Sequence, residues 1–594
     1  MRMTFLAAAL LASAAPAYAT PADDFHRIMD AHYQWLLREN PTQATALGVR
    51  DYDDRIDDLS PEARAAHVRQ ARTFRDQIQA IPADALSPTD RVNRAILLRM
   101  LGETIEESGF GQRDMLFTTY YGWHQGFAGL ATGLPFRDRH DYESYLTRIA
   151  QYPRLNDQAL AITANAVRGG FVLPCSVLGG YERTISGVIE SDPTKSHFYE
   201  PFTRPKPSTI GDADWAALQA RARQIITEVI NPAYRKHLDF YTRDYLPHCA
   251  RVDSVSAQPN GAAWYALQVR EHTTTDLTPQ QIHQIGLDEV ARIRSEMDRV
   301  AREAGYPSRE AFIEHLRTDP SYYPTSAEQL MAASALFNKQ VDAWLPRLFG
   351  RLPRLTFTIR EIPAETAEGT TTAYYGSGSP EAGISGTYYV NTSHLDQRPL
   401  WEIPALSLHE SVPGHHLQIA LQQEMDIAPF RRNFTGFTAF TEGWALYAES
   451  LGEEMGVYNT PERRMGELSY QMWRACRLVV DTGIHAYGWD KARAIQYMRD
   501  NTALTDRNIE SEVNRYISWP GQALGYMIGR LKIIELRHRA EQALGPRFDE
   551  RRFHDAVLAN GSVPLDVLEA QINEWIAAEQ ARPADAAPSQ PPRT

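Results

Sequence analysis

His409-Glu410-Ser411-Val412-Pro413-Gly414-His415-His416 is the stretch on which the reading of this 594-residue chain turns. On an unbroken helix, two histidines four residues apart share one face and reach a single divalent cation, while a glutamate beside the first points at the same ion. Here the fourth position after His409 is Pro413, which has no N–H to bond the His409 carbonyl, and Gly414 beside it accepts unusual backbone angles. The spacing therefore predicts a helix that bulges at Pro413 and absorbs two residues, bringing His415 to the place of the second ligand. His416 stays as the fallback. On an unbroken helix it would share the His409 face but lie about 10 Å further along the axis.

A catalytic metal site takes three protein ligands and keeps one position open. Glu442, in Thr441-Glu442-Gly443-Trp444, is the candidate third ligand, and the residues that follow it favour helix. Glu449 lies seven residues on, on the same face, where it can orient a ligand from behind. Glu410 is then the general base. A bare His-Glu pair is most often part of a solvated helix face; two further histidines and a glutamate in an apolar helix are what point to a metal.

The pattern His-Glu-x-x-Pro-Gly-His, met by His409, Glu410, Pro413, Gly414 and His415, resembles the hallmark of the bacterial secreted zincin-like family called domain of unknown function 885. The blocks Thr441-Glu442-Gly443-Trp444-Ala445, Asp481-Thr482-Gly483-Ile484-His485 and Pro520-Gly521-Gln522-Ala523-Leu524 with Tyr526 are similar to others of that family, so the resemblance covers most of the chain. In site logic the chain is similar to angiotensin-converting enzyme and thimet oligopeptidase, helical peptidases whose third ligand is also a downstream glutamate. These resemblances imply a mostly α, large helical zincin-like fold with a deep cleft and a small β-sheet next to the metal-binding helix. They imply Zn²⁺ on His409, His415 and Glu442. They also make His485 and Tyr526 candidate donors to a tetrahedral oxyanion, because the analogous peptidases supply a His or Tyr from downstream helices.

The two ends and the composition set further bounds. Residues 1–19 hold Arg2, an apolar run over 5–15 and Ala17-Tyr18-Ala19, the pattern of a cleaved signal peptide. The apolar run is too short to span a bilayer, and no later stretch is long and apolar enough. The expectation is an exported protein in a bacterial periplasm, without stable membrane insertion and with no cysteine after the cleavage site to carry a lipid. Cys175 and Cys249 can pair there, while Cys476 reads as a buried helix residue. With 61 basic and 74 acidic residues the net charge is −13, which argues against nucleic acid as a partner. No oligomeric state can be read from the sequence. Residues 581–594, rich in Pro, Ala and Ser, read as a disordered tail.

Between the ends the chain reads as helix, with a soft boundary near Pro259-Asn260-Gly261 dividing an N-terminal helical region, 20–259, from a catalytic region, 260–580. The periodicity over 24–39 predicts one helix. Thr278-Pro279-Gln280-Gln281 predicts the capped start of another. The exception is 355–391, where the β-favouring runs 355–360 and 386–391 flank a Gly/Ser/Pro-rich turn and predict a small sheet. Such a sheet either braces the metal helix or offers an edge to an extended peptide. Tyr374, Tyr375, Tyr388 and Tyr389 either line the cleft or pack.

Arg474, Arg477 and Asp481 fall at spacings of three and four, the usual sign of a salt-bridge row. An arginine in a cleft can instead clamp the terminal carboxylate of a peptide, as can Arg515 or Arg530. The expected function is an exported zinc-dependent metallopeptidase that hydrolyses short peptides with water activated by Glu410. The alternatives are a zinc hydrolase of another amide or ester, and a non-catalytic peptide-binding protein that keeps the fold.

Overall fold

A computed structural model describes residues 20–367, 370–380 and 383–583. The signal-peptide reading of 1–19 and most of the tail, 584–594, lie outside the described residues. The structure is mostly helical, and its local signals act as the sequence predicts. The first helix, Pro21–Glu39, starts at a Thr20 capping box, and the helix Pro279–Glu303 starts at another, in which Thr278 and Gln281 satisfy each other's backbone N–H. The last helix, Leu565–Ala581, ends where the Pro/Ala-rich tail begins.

At the centre runs the helix Pro461–Tyr487, buried on every side from Met465 to His485. It packs along Pro279–Glu303, where a Cβ at Gly286 would stand 2.7 Å from Leu478. A second helix pair is held even closer. Thr438–Glu454 lies on Gly525–Leu544 with Gly443 against Gly529, and a Cβ at Gly443 would stand 2.5 Å from the Gly529 Cα. That backbone contact brings Glu442 and Tyr526, one residue before and three before the two glycines, to the same part of the interior.

The expected small sheet is present with three strands, one more than predicted: β1 Phe357–Glu361, β2 Ala373–Gly376 and β3 Gly386–Val390, in the order β1-β3-β2. β3 pairs parallel with β1 and antiparallel with β2. In the pairing Tyr374 opposes Tyr389 and Tyr375 opposes Tyr388. Tyr388 is fully buried and its hydroxyl reaches the Ser407 Oγ at 3.5 Å; Tyr374 and Tyr389 stack at 4.8 Å on the other face, with Tyr374 exposed. One face of the sheet therefore braces the helix that carries His409.

The predicted bulge at Pro413 is corrected to a full break. One helix, Ile403–Glu410, ends directly after His409 and Glu410, and a second, His415–Glu424, begins at His415. Ser411 and Gly414 both leave helical geometry, with ψ of −111° and −127°, and the Val412–Pro413 bond between them is cis. Ser411 Oγ bonds the Ser407 carbonyl and Asn338, and Trp444 donates its indole N–H to the Pro413 carbonyl at 2.9 Å. Gly414 is required because a Cβ there would fall 2.0 Å from the His409 carbonyl oxygen. Gly414→Ala is expected to cost about 3 kcal/mol, read as a lower thermal midpoint. Gly436→Ala, where an added methyl meets nothing within 4 Å, is expected to leave the midpoint unchanged.

Candidate metal centre

Three side chains from three helices converge behind that break. His409 from the end of the first ligand helix, His415 from the start of the second and Glu442 from Thr438–Glu454 place one ligand atom each within 4.8 Å of one another. Glu442 Oε2 lies 3.5 Å from His409 Nε2 and 3.2 Å from His415 Nε2, yet it is buried with no aligned hydrogen bond. Side-chain exposures of 3%, 10% and 18% for His409, His415 and Glu442 leave solvent its best approach on the glutamate side.

The tautomer of His409 is fixed from behind. Its Nδ1 lies 2.7 Å from Glu449 Oε1, and a carboxylate there requires Nδ1 to be the donor. Glu449 is fully buried and is matched by Arg474 Nη2 at 3.1 Å. Arg474 stacks in turn on Tyr470 and Trp473. In the neutral ring the Nε2 lone pair then faces the Glu442 carboxylate, an arrangement that repels unless a positive centre, a proton or a metal ion, lies between them. Burial alone would push the His409 imidazole down, but the carboxylates of Glu442 and Glu449 outweigh it and raise it to about 9. Burial would likewise raise Glu442, and the two facing imidazoles instead hold it well below the usual carboxylate range. Two imidazoles and one carboxylate are a donor set that suits a divalent cation. Glu442 Oε2 faces both imidazoles without an aligned hydrogen bond, so the three residues form a donor set that would hold one.

Glu410 directly follows His409 and is 8% exposed. Among the described residues none hydrogen-bonds or ion-pairs with its carboxylate. The Tyr526 ring lies parallel to that of His409, centroids 6.2 Å apart at 11°, and its hydroxyl receives a hydrogen bond from Arg515 at 2.9 Å. Tyr526 thus lies beside His409.

Two sequence candidates stand elsewhere. His416 Nε2 lies 3.0 Å from the Leu355 carbonyl and its Nδ1 lies 3.0 Å from the Tyr375 hydroxyl. Both nitrogens are used to tie the second ligand helix to the sheet, and burial lowers the imidazole to about 4, so the fallback ligand is set aside. His485 is likewise corrected. Its Nδ1 accepts the Val255 N–H at 3.1 Å and its Nε2 donates to the Tyr516 carbonyl at 3.0 Å. Burial lowers it to about 4. It is a neutral core residue with no nitrogen left for an oxyanion.

The predicted row of Arg474, Arg477 and Asp481 also resolves differently. Arg474 serves Glu449, Arg477 pairs with Glu512 at 2.7 Å, and Asp481 accepts from the Tyr265 hydroxyl and the Gly521 N–H. Glu512, Tyr516 and Trp444 were not singled out in the sequence. The one signal for Glu512 is its place three residues before Arg515, an ordinary helix-face spacing. A cavity of about 290 Å³ opens away from the triad, beside Tyr121, Trp264 and Trp519, and none of the three ligands lines it.

The fold and site define a mostly helical protein with an inward-facing two-histidine, one-glutamate set at a broken helix. The chain belongs to the family described as bacterial protein of unknown function (DUF885), which matches residues 41–572. It is similar to the crystal structure of a putative lipoprotein from Colwellia psychrerythraea, at 26% identity and a TM-score of 0.87 over 94% of this chain and 100% of the other. A putative lipoprotein of unknown function from Shewanella oneidensis shares the fold, at 18% identity and a TM-score of 0.69 over 92% and 99% of the two chains. No curated protein matches. His415→Ala is expected to abolish stoichiometric divalent-metal uptake by the purified protein, measured by elemental analysis, while His416→Ala retains it. Glu449→Gln is expected to weaken that uptake by about 10- to 100-fold.

Proposed function

We propose that this chain is an exported zinc-dependent metallohydrolase, acting as a peptidase on short peptides. The observation that carries the reading is the convergence of His409, His415 and Glu442 within 4.8 Å, with Glu410 next to His409 in the chain. His409, His415 and Glu442 would hold the ion. Zinc bound there supplies Lewis acidity, which polarises a carbonyl and acidifies water. Glu410 takes the proton of the attacking water on its carboxylate and returns it to the leaving amine. The Tyr526 hydroxyl, already an acceptor from Arg515, keeps its own proton to donate to the carbonyl oxygen as that atom gains charge. Glu449 and Arg474 keep His409 in the tautomer that presents Nε2.

The low exposure of the three ligands favours small, flexible substrates over folded proteins. Export is supported by the signal-like 1–19 segment and by the Cys175–Cys249 disulfide, which persists in oxidising compartments. The putative lipoproteins with the same fold point the same way. No helix among the described residues is long and apolar enough to cross a membrane.

Glu410→Gln is expected to lower kcat on a mixed short-peptide pool by about 10²- to 10⁴-fold with zinc content unchanged, as followed by mass spectrometry of the products. Loss of activity together with loss of metal, or peptide turnover that survives complete removal of metal, would count against the reading. Zinc must displace the proton that His409 holds below about pH 9. Zinc addition at neutral pH is therefore expected to release protons, and its apparent affinity to weaken as pH falls. Titration calorimetry in buffers of different ionisation heat measures both.

A further inference from the structure

Next to Tyr526 lies a buried group of charges that does not balance. The Arg477 guanidinium sits 4.1 Å over the Tyr526 ring, and Arg515 bonds the Tyr526 hydroxyl. One carboxylate, Glu512, answers both, at 2.7 Å from Arg477 Nη2 and 3.5 Å from Arg515 Nη1. It is fully engaged, since it also accepts from the Tyr516 hydroxyl at 2.8 Å and the Trp473 indole at 3.2 Å. Burial would raise the Glu512 carboxyl, but the two arginines hold it down at about 2, so it stays ionised. Two guanidiniums and one carboxylate leave one positive charge. Arg477, Arg515 and Glu512 are 2%, 8% and 0% exposed, and the donors Arg477 Nη1 and Arg515 Nε have no acceptor.

A guanidinium does not deprotonate in a protein, and a buried charge is strongly unfavourable unless it is paired. Water can accept from those donors but brings no negative charge. Of the other arginines near the triad, Arg474 is bound to Glu449, while Arg530, 6% exposed, also keeps a buried Nε without an acceptor. The Arg477–Arg515 pair is the one that touches Tyr526, whose ring lies beside that of His409, and Arg515 is the more exposed of the two. The missing partner is therefore an anion that arrives with the ligand. A planar carboxylate suits the fork of an arginine better than any other small anionic group of a peptide.

We propose that Arg515, backed by Arg477, binds the terminal carboxylate of a substrate peptide, so that the site selects chains with a free C-terminus. The position of the cut rests on the hydrolase reading; the carboxylate subsite does not. Tyr526 stands between Arg515 and His409, so the bound terminus would lie about one or two residues from the bond held at the triad, at about 3.5 Å per residue.

The test is calorimetric binding of Ala-Ala-Phe and of Ala-Ala-Phe amide to the full-length Glu410→Gln protein, with and without added zinc. The free acid is expected to bind at least 10-fold more tightly than the amide, a gap that Arg515→Met closes and Arg515→Lys only narrows. Equal affinity for acid and amide in the Arg515-intact protein, or no measurable binding of the acid, overturns the proposal whatever the variants do. A preference for the acid in a wild-type protein that turns over no peptide would retire the hydrolase reading and keep the subsite.

Discussion

Everything at the centre depends on a hydrogen bond that no solvent reaches, Glu449 Oε1 to His409 Nδ1 at 2.7 Å. It decides which imidazole nitrogen is a donor and therefore which one faces His415 and Glu442. Glu449 is met in turn by Arg474 at 3.1 Å, and the Arg474 guanidinium lies over the Tyr470 and Trp473 rings. The chain of support runs from Tyr470 and Trp473 through Arg474 and Glu449 to His409. Four of these five residues lie on two helices, Thr438–Glu454 and Pro461–Tyr487, so the packing of those helices is felt at the site.

The broken helix is what lets that orientation matter. A continuous helix from Ile403 onward would carry His415 away from the face of His409. The non-helical turn of Ser411 to Gly414 starts the second helix afresh, and His415 becomes its first residue. The turn is stitched from outside: Asn338 bonds Ser411, and Trp444 bonds the Pro413 carbonyl. Trp444 sits two residues from Glu442, so the helix that brings Glu442 also clamps the turn that places His415. This coupling gives the Glu442-Gly443-Trp444 segment its meaning: a carboxylate that faces His409 and His415, a glycine for close approach to Gly529, and an indole to hold the turn.

Much of this was legible in the residues. The histidine spacing, the Pro-Gly pair, and Glu442 with Glu449 one heptad apart are local patterns, and local patterns are what helix periodicity exposes. The same is true of the capping box at Thr278 and of the two β-favouring runs. What could not be read depends on contacts distant in sequence. His415 and His416 are adjacent and chemically alike; they are told apart by Leu355 and Tyr375, which claim both nitrogens of His416. His485 carries the composition of a catalytic histidine, but it is consumed by backbone groups of Val255 and Tyr516, which have no side-chain signature at all. The strand Ala373–Gly376 lay hidden because its four residues sit within a glycine-rich stretch that reads as a turn.

Arg474 and the pair Arg477–Arg515 are held in different ways, and the difference separates support from recognition. Arg474 is held by Glu449 inside the protein, and its task ends there. Arg477 and Arg515 share one carboxylate that is already bonded to a tyrosine and a tryptophan, and they retain donors with nowhere to point. A fold that needed those arginines only for stability could satisfy them with a second acid or replace them with apolar side chains of similar volume, often at a gain. Keeping an uncompensated guanidinium beside Tyr526 destabilises the free protein, and that cost is recovered only when something anionic enters. On this argument the balanced arginine belongs to the scaffold and the unbalanced pair to the ligand.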